Sequence, residues 1–551
     1  MPTINDLPTE LILAIFAFMD PKTMINASSA CRQWYKLYSL PEQQYKVAQH
    51  RYSVADGPPN DEWPASRRLE ALRAHQARWR TLSWAKAIRS IMTQGINGNA
   101  FQEFMDEQTG SRTVSVTFNK APSVIVNSDE SMWSINVPIP IRDFCMDSYQ
   151  DLVVVMNAEN QRSRRDVHFL SMKDGKPHPC AKYPMVSEDI SSVWPYDSGC
   201  MIEIYGEHVI ILFRGHIYPT MEARSRTSVL IIWNWITGDK TMHLSSSGGN
   251  LIDSFCFLSP GHVLVGRRRL EASTPSAQSS LEVYSFGKGL RHVTMRRFQL
   301  PQLSSDIYLT FLELLCQAVP TPNHHAWRPF YTSPSDCICM ISAFYSNWDS
   351  HRCMNYIVFT STFLKAFPDE EINSEIIDMG GFRHISTVSW KDWSPQVRVT
   401  SWNSERSVFK AVTCGTRIVR RIQAGTVGRY RIQICDFNPY AYSQVKGALD
   451  VDKRETEIVT RKKLARFRFD LFRRVDRTES NVKQSEDIAT VIYKYIDSVH
   501  SPLDPIFMEP IDYGLPYLEV TTVEDFEVRY VMMDFENIYL LSDNGVRVLS
   551  F

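Results

Sequence analysis

Between Leu11 and Met19 the chain carries no polar residue, so the helix this run predicts has no solvent face. A helix that is apolar all round must be covered on every side. Nine residues fall far short of the ~20 that span a bilayer, and a core is hardest to complete near a chain terminus. The economical expectation is that a second protein supplies part of the cover. Pro8 fits a first helical turn, and Glu10 there complements the positive end of the dipole. Asp20-Pro21 repeats the device: Asp20 caps, while Pro21 stops one helix and opens the next. A short second helix follows over residues 22–30, and a third over Cys31–Leu37.

Helical patterning continues to about residue 92. Pro41-Glu42 opens a helix toward His50, Gly57-Pro58-Pro59-Asn60 interrupts it, and Trp63-Pro64 restarts it. Leu69, Leu72, Trp79 and Leu82 then recur at helical intervals among arginines. This is the pattern of a linker helix laid across a neighbouring domain, with arginine stems covering apolar surface.

From about residue 110 the period changes to that of short strands. Thr113–Phe118, Ser123–Val126, Leu152–Met156 and Val167–Met172 are β-branched or alternating runs. Leu251–Leu258, His262–Val265, Leu281–Phe286 and His292–Leu300 form a four-stranded antiparallel meander around the turns Ser259-Pro260-Gly261 and Gly287-Lys288-Gly289. Met201–Tyr205, Val209–Phe213, Val229–Trp235 and Lys240–Leu244 run the same way. Later pairs are Cys337–Ala343 with Tyr356–Ser361, and Thr416–Arg421 with Tyr430–Phe437. Residues 443–457 and 476–488 read as polar loops. Tyr530–Phe535, Asn537–Leu541 and Val546–Phe551 close the chain, the last two around a turn at Asp543-Asn544-Gly545. The spacing of corresponding strands is near the ~40–50 residues of propeller repeats, and Val229–Trp235 with its Thr-Gly turn resembles the third strand of a WD-like blade.

The N-terminal motifs carry a more specific resemblance. Leu7-Pro8-Thr9-Glu10-Leu11, the apolar helix, Asp20-Pro21, a second short helix and Cys31-Arg32-Gln33-Trp34 together resemble an F-box, over residues 4 to about 50. Met24 and Ala30 stand where that family more often has Leu and Val, with apolar volume roughly kept. F-box proteins are substrate receptors of cullin-based ubiquitin ligases, and the box docks on a Skp-family adaptor. The resemblance implies that Leu7, Pro8, Leu11, Ile12, Ile15 and Phe16 face the adaptor or the box's own small core. It also implies that Ile25, Cys31 and Trp34 complete the trihelical unit. The whole order is similar to F-box proteins of large fungal families, which join the box and a helical linker to a β-rich C-terminal region.

The expected architecture is therefore an α+β multidomain chain: a small trihelical F-box over 1–50, a helical linker over 51–108, and an all-β, propeller-like substrate-binding domain of six to eight blades over 109–551. Composition narrows the function. The 551 residues carry a formal net charge of −1, so a general nucleic-acid binder is not expected. Hydrophobic content of 44% is that of a folded protein, and 12% aromatics with thirteen Trp lean toward strands. Eleven cysteines, Cys337 and Cys339 among them, match no zinc or disulfide framework and read as free thiols of a reducing compartment. Cytoplasmic or nuclear residence is expected, without a membrane anchor.

No catalytic motif is present: no Gly-x-Ser-x-Gly, His-Glu-x-x-His, Walker loop or Gly-x-Gly-x-x-Gly. The pair His324-His325 lies in a proline-flanked loop, where adjacent side chains point apart, so no metal and no cofactor are expected. Arg267-Arg268-Arg269 follows a strand and precedes a Ser-rich loop, so it is expected at a blade rim. Arg461–Arg477 alternates basic with apolar residues as a half-buried strand does, and could also receive an acidic or phosphorylated target. The expected function is that of a non-enzymatic substrate receptor, linked through a Skp-family adaptor to a cullin scaffold and holding a protein target. An F-box-containing scaffold without ligase role, or a propeller-based ligand-binding or enzymatic module, is the alternative.

Overall fold

The computed structural model describes residues 7–90, 99–105, 112–129, 131–137, 139–157, 164–191, 193, 197–215, 227–246, 250–269, 279–286, 295–317, 328–347, 351–365, 371–377, 381–402, 412–441, 457–459, 491–496, 506–509, 511, 514–542 and 545–551. Helices α1 (Thr9–Phe18), α2 (Pro21–Ser28), α3 (Arg32–Tyr38), α4 (Pro41–Tyr52) and α5 (Ala65–Thr81) come first. No helix among the described residues is long and apolar enough to cross a membrane. Strands begin earlier than the sequence suggests. β1 (Val54–Asp56) lies between α4 and α5, and β2 (Lys86–Ser90) follows α5 within the stretch expected to be helical linker. Both owe their conformation to distant partners, which periodicity over a short window does not register.

Beyond the helices the described strands assemble into a two-stranded sheet, β1 with Phe330–Thr332, and seven larger sheets that follow chain order in the main: residues 99–137, 141–189, 197–246, 250–299, 308–400, 413–527 and 530–550. The expected meanders at 197–246 and 250–299 form with consecutive antiparallel pairing. The fourth strand of the latter is Met295–Gln299, and it also takes Gly381–Val388 as a parallel neighbour. The expected strand Ser123–Val126 is instead a turn closed by a Ser123/Ser128 bridge. Among the described residues no sheet closes on itself. However, β2 pairs antiparallel with Gly545–Ser550, so the seventh sheet contains strands from both ends of the described chain.

Six apolar clusters fill the spaces between successive sheets. Val116 and Phe118 meet Val153 and Val155 between the first and second, and Phe169 and Trp233 lie between the second and third. Phe255 and Tyr284 lie between the third and fourth, Phe298 and Tyr356 between the fourth and fifth. Ile357 and Phe437 share the next cluster, and Val520 and Leu540 the last. The strand Ser228–Asn234, apolar from Val229 to Trp233, is buried along its whole length because both faces meet another sheet.

Two arginines buried inside this stack are paired with carboxylates. Arg267 and Arg268 lie within the strand His262–Arg269 and are buried, which corrects the expected rim placement. Arg268 grips Asp253 through two bonds of 2.7 and 3.0 Å, and Asp253 also accepts the Leu312 amide at 3.0 Å. Arg267 and Arg297 share Glu282 at 2.9 and 3.2 Å. Cys337 and Cys339 are buried free thiols, as expected.

The helical arm joins the β region through one dense junction. β1 pairs with Phe330–Thr332, and the Gly57 amide donates to the Pro329 carbonyl at 3.0 Å. A Cβ at Gly57 would lie 1.9 Å from the Arg328 carbonyl oxygen, so only glycine fits. The buried Arg68 guanidinium donates to Asp56 at 2.6 Å, to the Gly57 and Pro58 carbonyls at 3.1 and 2.9 Å, and through Nε to the Trp63 carbonyl at 2.8 Å. Farther along α5, Trp79 stacks on Phe551 with centroids 4.3 Å apart, as packing of the linker helix requires.

His75 on α5 is fully buried against Phe330 and Phe535. Its Nε2 lies 3.0 Å from the Phe535 carbonyl and 2.9 Å from the Trp79 indole nitrogen, and serves one partner at a time. Burial, reinforced by the nearby Arg417 charge, pushes its pKa down to about 3. Between that value and the ordinary 6.5 the unfolded chain binds the extra proton, so stability is lost as pH falls below about 6.5.

Urea unfolding at pH 7.5 and 5.5 should therefore show about 1.4 kcal/mol more loss for the wild type than for His75→Phe. Arg268→Met should lower stability by about 3–5 kcal/mol by stranding Asp253, and Arg268→Met with Asp253→Leu should recover part of it, both read from denaturant midpoints.

Candidate adaptor interface

The box is built by its caps. Pro8 sits just outside α1 as its N-cap residue, one position earlier than expected, and its carbonyl accepts the Leu11 amide at 3.0 Å. Asp20 caps α2 by accepting the Thr23 amide at 3.0 Å, with Pro21 at the first helical position. The Thr23 hydroxyl and amide hold the exposed Asp20 carboxyl below its usual range. Cys31 caps α3 through its sulfur, 3.5 Å from the Trp34 amide. Lys46 on α4 donates to the Ala17 carbonyl at 2.6 Å, placing a cation at the negative end of α1.

These helices enclose a small core of Ile12, Phe16, Met24, Trp34 and Val47, in which Phe16 and Trp34 meet edge-on at 5.4 Å. The nine residues expected at the interface or core divide accordingly. Ile12, Phe16 and Trp34 are core, Leu7 and Cys31 pack against it, and Ile15 is half-buried. Pro8, Leu11 and Ile25 are exposed. The all-apolar run is thus buried on one side by its own chain, with Leu11 51% and Phe18 93% exposed on the remainder.

Phe18, Tyr35 and Leu40 add to this exposed apolar set and were not singled out by sequence. A signal for Phe18 was present. It stands seven residues from Leu11, two helical turns along the same face. An exposed Phe and Leu on one helical stripe are costly in water and suit an apolar partner surface, and Ile25 and Tyr35 are exposed on the neighbouring helices.

The other candidate residues provide no comparable site. Arg267 and Arg268 are held by buried carboxylates, as above. His324-His325 and Arg461–Arg477 lie outside the described residues, and so do the expected polar loops (except Glu457), the turn Gly287-Lys288-Gly289 and the turn residues Asp543 and Asn544. Among the described residues no three His, Cys, Asp or Glu side chains gather as metal ligands would. A cavity at the junction, lined by Gln76, Cys414, Arg417 and Asp534 among others, has room for about one water.

Comparison with known proteins bears on the box. No curated protein matches the chain. Among solved structures, the uncharacterized protein lmo1340 from Listeria monocytogenes EGD-e is matched at 9% identity over 64% of this chain and 96% of its own, with a TM-score of 0.21. At that score the likeness carries no argument about fold or function. Residues 4–42 match the F-box-like family model, the segment that contains the capped helices α1 to α3 and the exposed Leu11 and Phe18. The match supports an F-box protein.

Proposed function

We propose that this chain is the substrate-recognition subunit of a Skp–cullin–F-box ubiquitin ligase. The F-box-like segment at residues 4–42 carries the proposal, because F-box domains generally bind Skp-family adaptors. The reading is supported by a complete small core that leaves Leu11, Phe18 and Ile25 over and exposed. Pro8 and the half-buried Ile15 would border the contact. Through the adaptor the chain would reach a cullin scaffold, in the cytoplasm or nucleus.

The β region would hold a target protein. We read it as a seven-bladed propeller of the fungal F-box type, supported by seven larger sheets mainly in chain order, apolar clusters between successive sheets, and β2 pairing with the final strand. In this role the chain performs no bond chemistry. It would place a target lysine near a recruited ubiquitin-conjugating enzyme, and the gain would come from proximity.

The test must separate docking from folding. Phe16 is core, so Phe16→Ala should cost about 3–5 kcal/mol and remove the complex by unfolding the box. Leu11→Ala and Phe18→Ala should leave the far-UV spectrum unchanged and weaken adaptor binding by about tenfold to a hundredfold each, given about 1.5–3 kcal/mol per buried side chain. Leu11→Asp with Phe18→Asp should abolish co-elution with a Skp-family adaptor on size exclusion. Full binding by that folded double variant would overturn the assignment.

A further inference from the structure

Six neighbouring pairs of sheets each have their own apolar cluster. Among the described residues, the seventh and first sheets meet differently. Glu536, in the turn after Tyr530–Met533, is fully buried. It accepts the Ser123 hydroxyl at 2.6 Å and the Ile125 amide at 3.4 Å, both from the turn after Arg112–Lys120 of the first sheet. The apolar cluster that collects Ile125, Val126 and Phe535 from the two sides is not made by the sheets alone. It is completed by Tyr45 and Ala48 of α4, Val54 of β1, Leu69 and Leu72 of α5, and Phe330.

A polar chain follows the same route. The other oxygen of Glu536 meets Arg328 Nη2 at 3.1 Å. Burial drives the Glu536 carboxyl toward its neutral form, against the pull of Arg328, so this contact is sensitive to how well Arg328 is placed. The next residue, Pro329, offers its carbonyl to the Gly57 amide at 3.0 Å and to the Tyr45 hydroxyl at 3.1 Å. Arg68 reaches the same carbonyl at 3.4 Å while gripping Asp56. The path from α4 to the first-sheet turn therefore runs through buried groups, each of which loses a partner if its neighbour moves. Finally, the arm leads into β2 through the Ala85 amide, which donates to Ser550 at 2.7 Å.

We propose that the arm α4–β1–α5 is a strap that holds the seam between the seventh and first sheets shut, so that arm docking and seam closure form one cooperative unit. The strap is independent of whether the box binds an adaptor. Its consequence is two-way: freeing the arm opens the seam, and breaking the seam frees the arm.

Hydrogen–deuterium exchange of the full chain tests this. Gly57→Ala displaces the arm by its clash with the Arg328 carbonyl and alters no residue of the seam. Exchange should rise about tenfold or more in residues 45–82 and also in 121–128 and 534–541, with the buried strand Ser228–Asn234 unchanged. Glu536→Gln should give the reciprocal pattern, with faster exchange in 45–82. If Gly57→Ala unfolds the whole chain, so that Ser228–Asn234 also exchanges, the milder Arg68→Lys decides by the same readout. An arm that exchanges freely beside a seam at its wild-type rate would overturn the proposal.

Discussion

The guanidinium of Arg68 organises the junction between the helical arm and the sheets. It is buried and must therefore find acceptors for its N–H donors inside the protein. It finds them in Asp56 and in carbonyls of Gly57, Pro58 and Trp63, which curls the loop between α4 and α5 into a fixed shape. That shape presents the β1 edge to Phe330–Thr332. Helix α4 is in turn shared by two cores, giving Val47 to the box and Tyr45 and Ala48 to the junction. The orientation of the box relative to the β region is thus set by packed and hydrogen-bonded groups rather than by a free linker.

This arrangement gives the apolar surplus of α1 a simple meaning. A ten-residue helix buries only one face against two short neighbours, and Ile12 and Phe16 occupy that face. Leu11 and Phe18 cannot reach the same core, because the helix turns them away from it. Because α4 is anchored elsewhere, the box cannot rotate to hide them. The exposed stripe is a geometric consequence of short helices on a fixed support.

Much of this was legible in the sequence because it is local. Asp20-Pro21 announces a helix start through one side chain and one ring, and the apolar runs Leu251–Leu258 and His262–Val265 on either side of Ser259-Pro260-Gly261 announce strands wherever they pair. The box was legible as a unit, and Ile12, Phe16 and Trp34 were named with it. What was not legible depends on partners far along the chain. Arg267-Arg268-Arg269 looks like a solvated run until Asp253 and Glu282 are known to stand across the strands. Ser123–Val126 has strand-like residues, yet Glu536 pulls it into a turn. β1 and β2 are too short to declare themselves, and the division of the box residues into core and surface needs the third dimension.

The pairing of β2 with Gly545–Ser550 joins residues about 460 positions apart, near the extreme of non-local contact for one chain. At ~5–20 residues per second of synthesis, β2 leaves the ribosome on the order of half a minute or more before its partner exists. For that interval its backbone edge is unpaired while the box, whose apolar core lies within residues 7–47, has that core complete. A nascent chain could therefore present a finished box on an unfinished β region, so adaptor capture and completion of the protein would be separated in time.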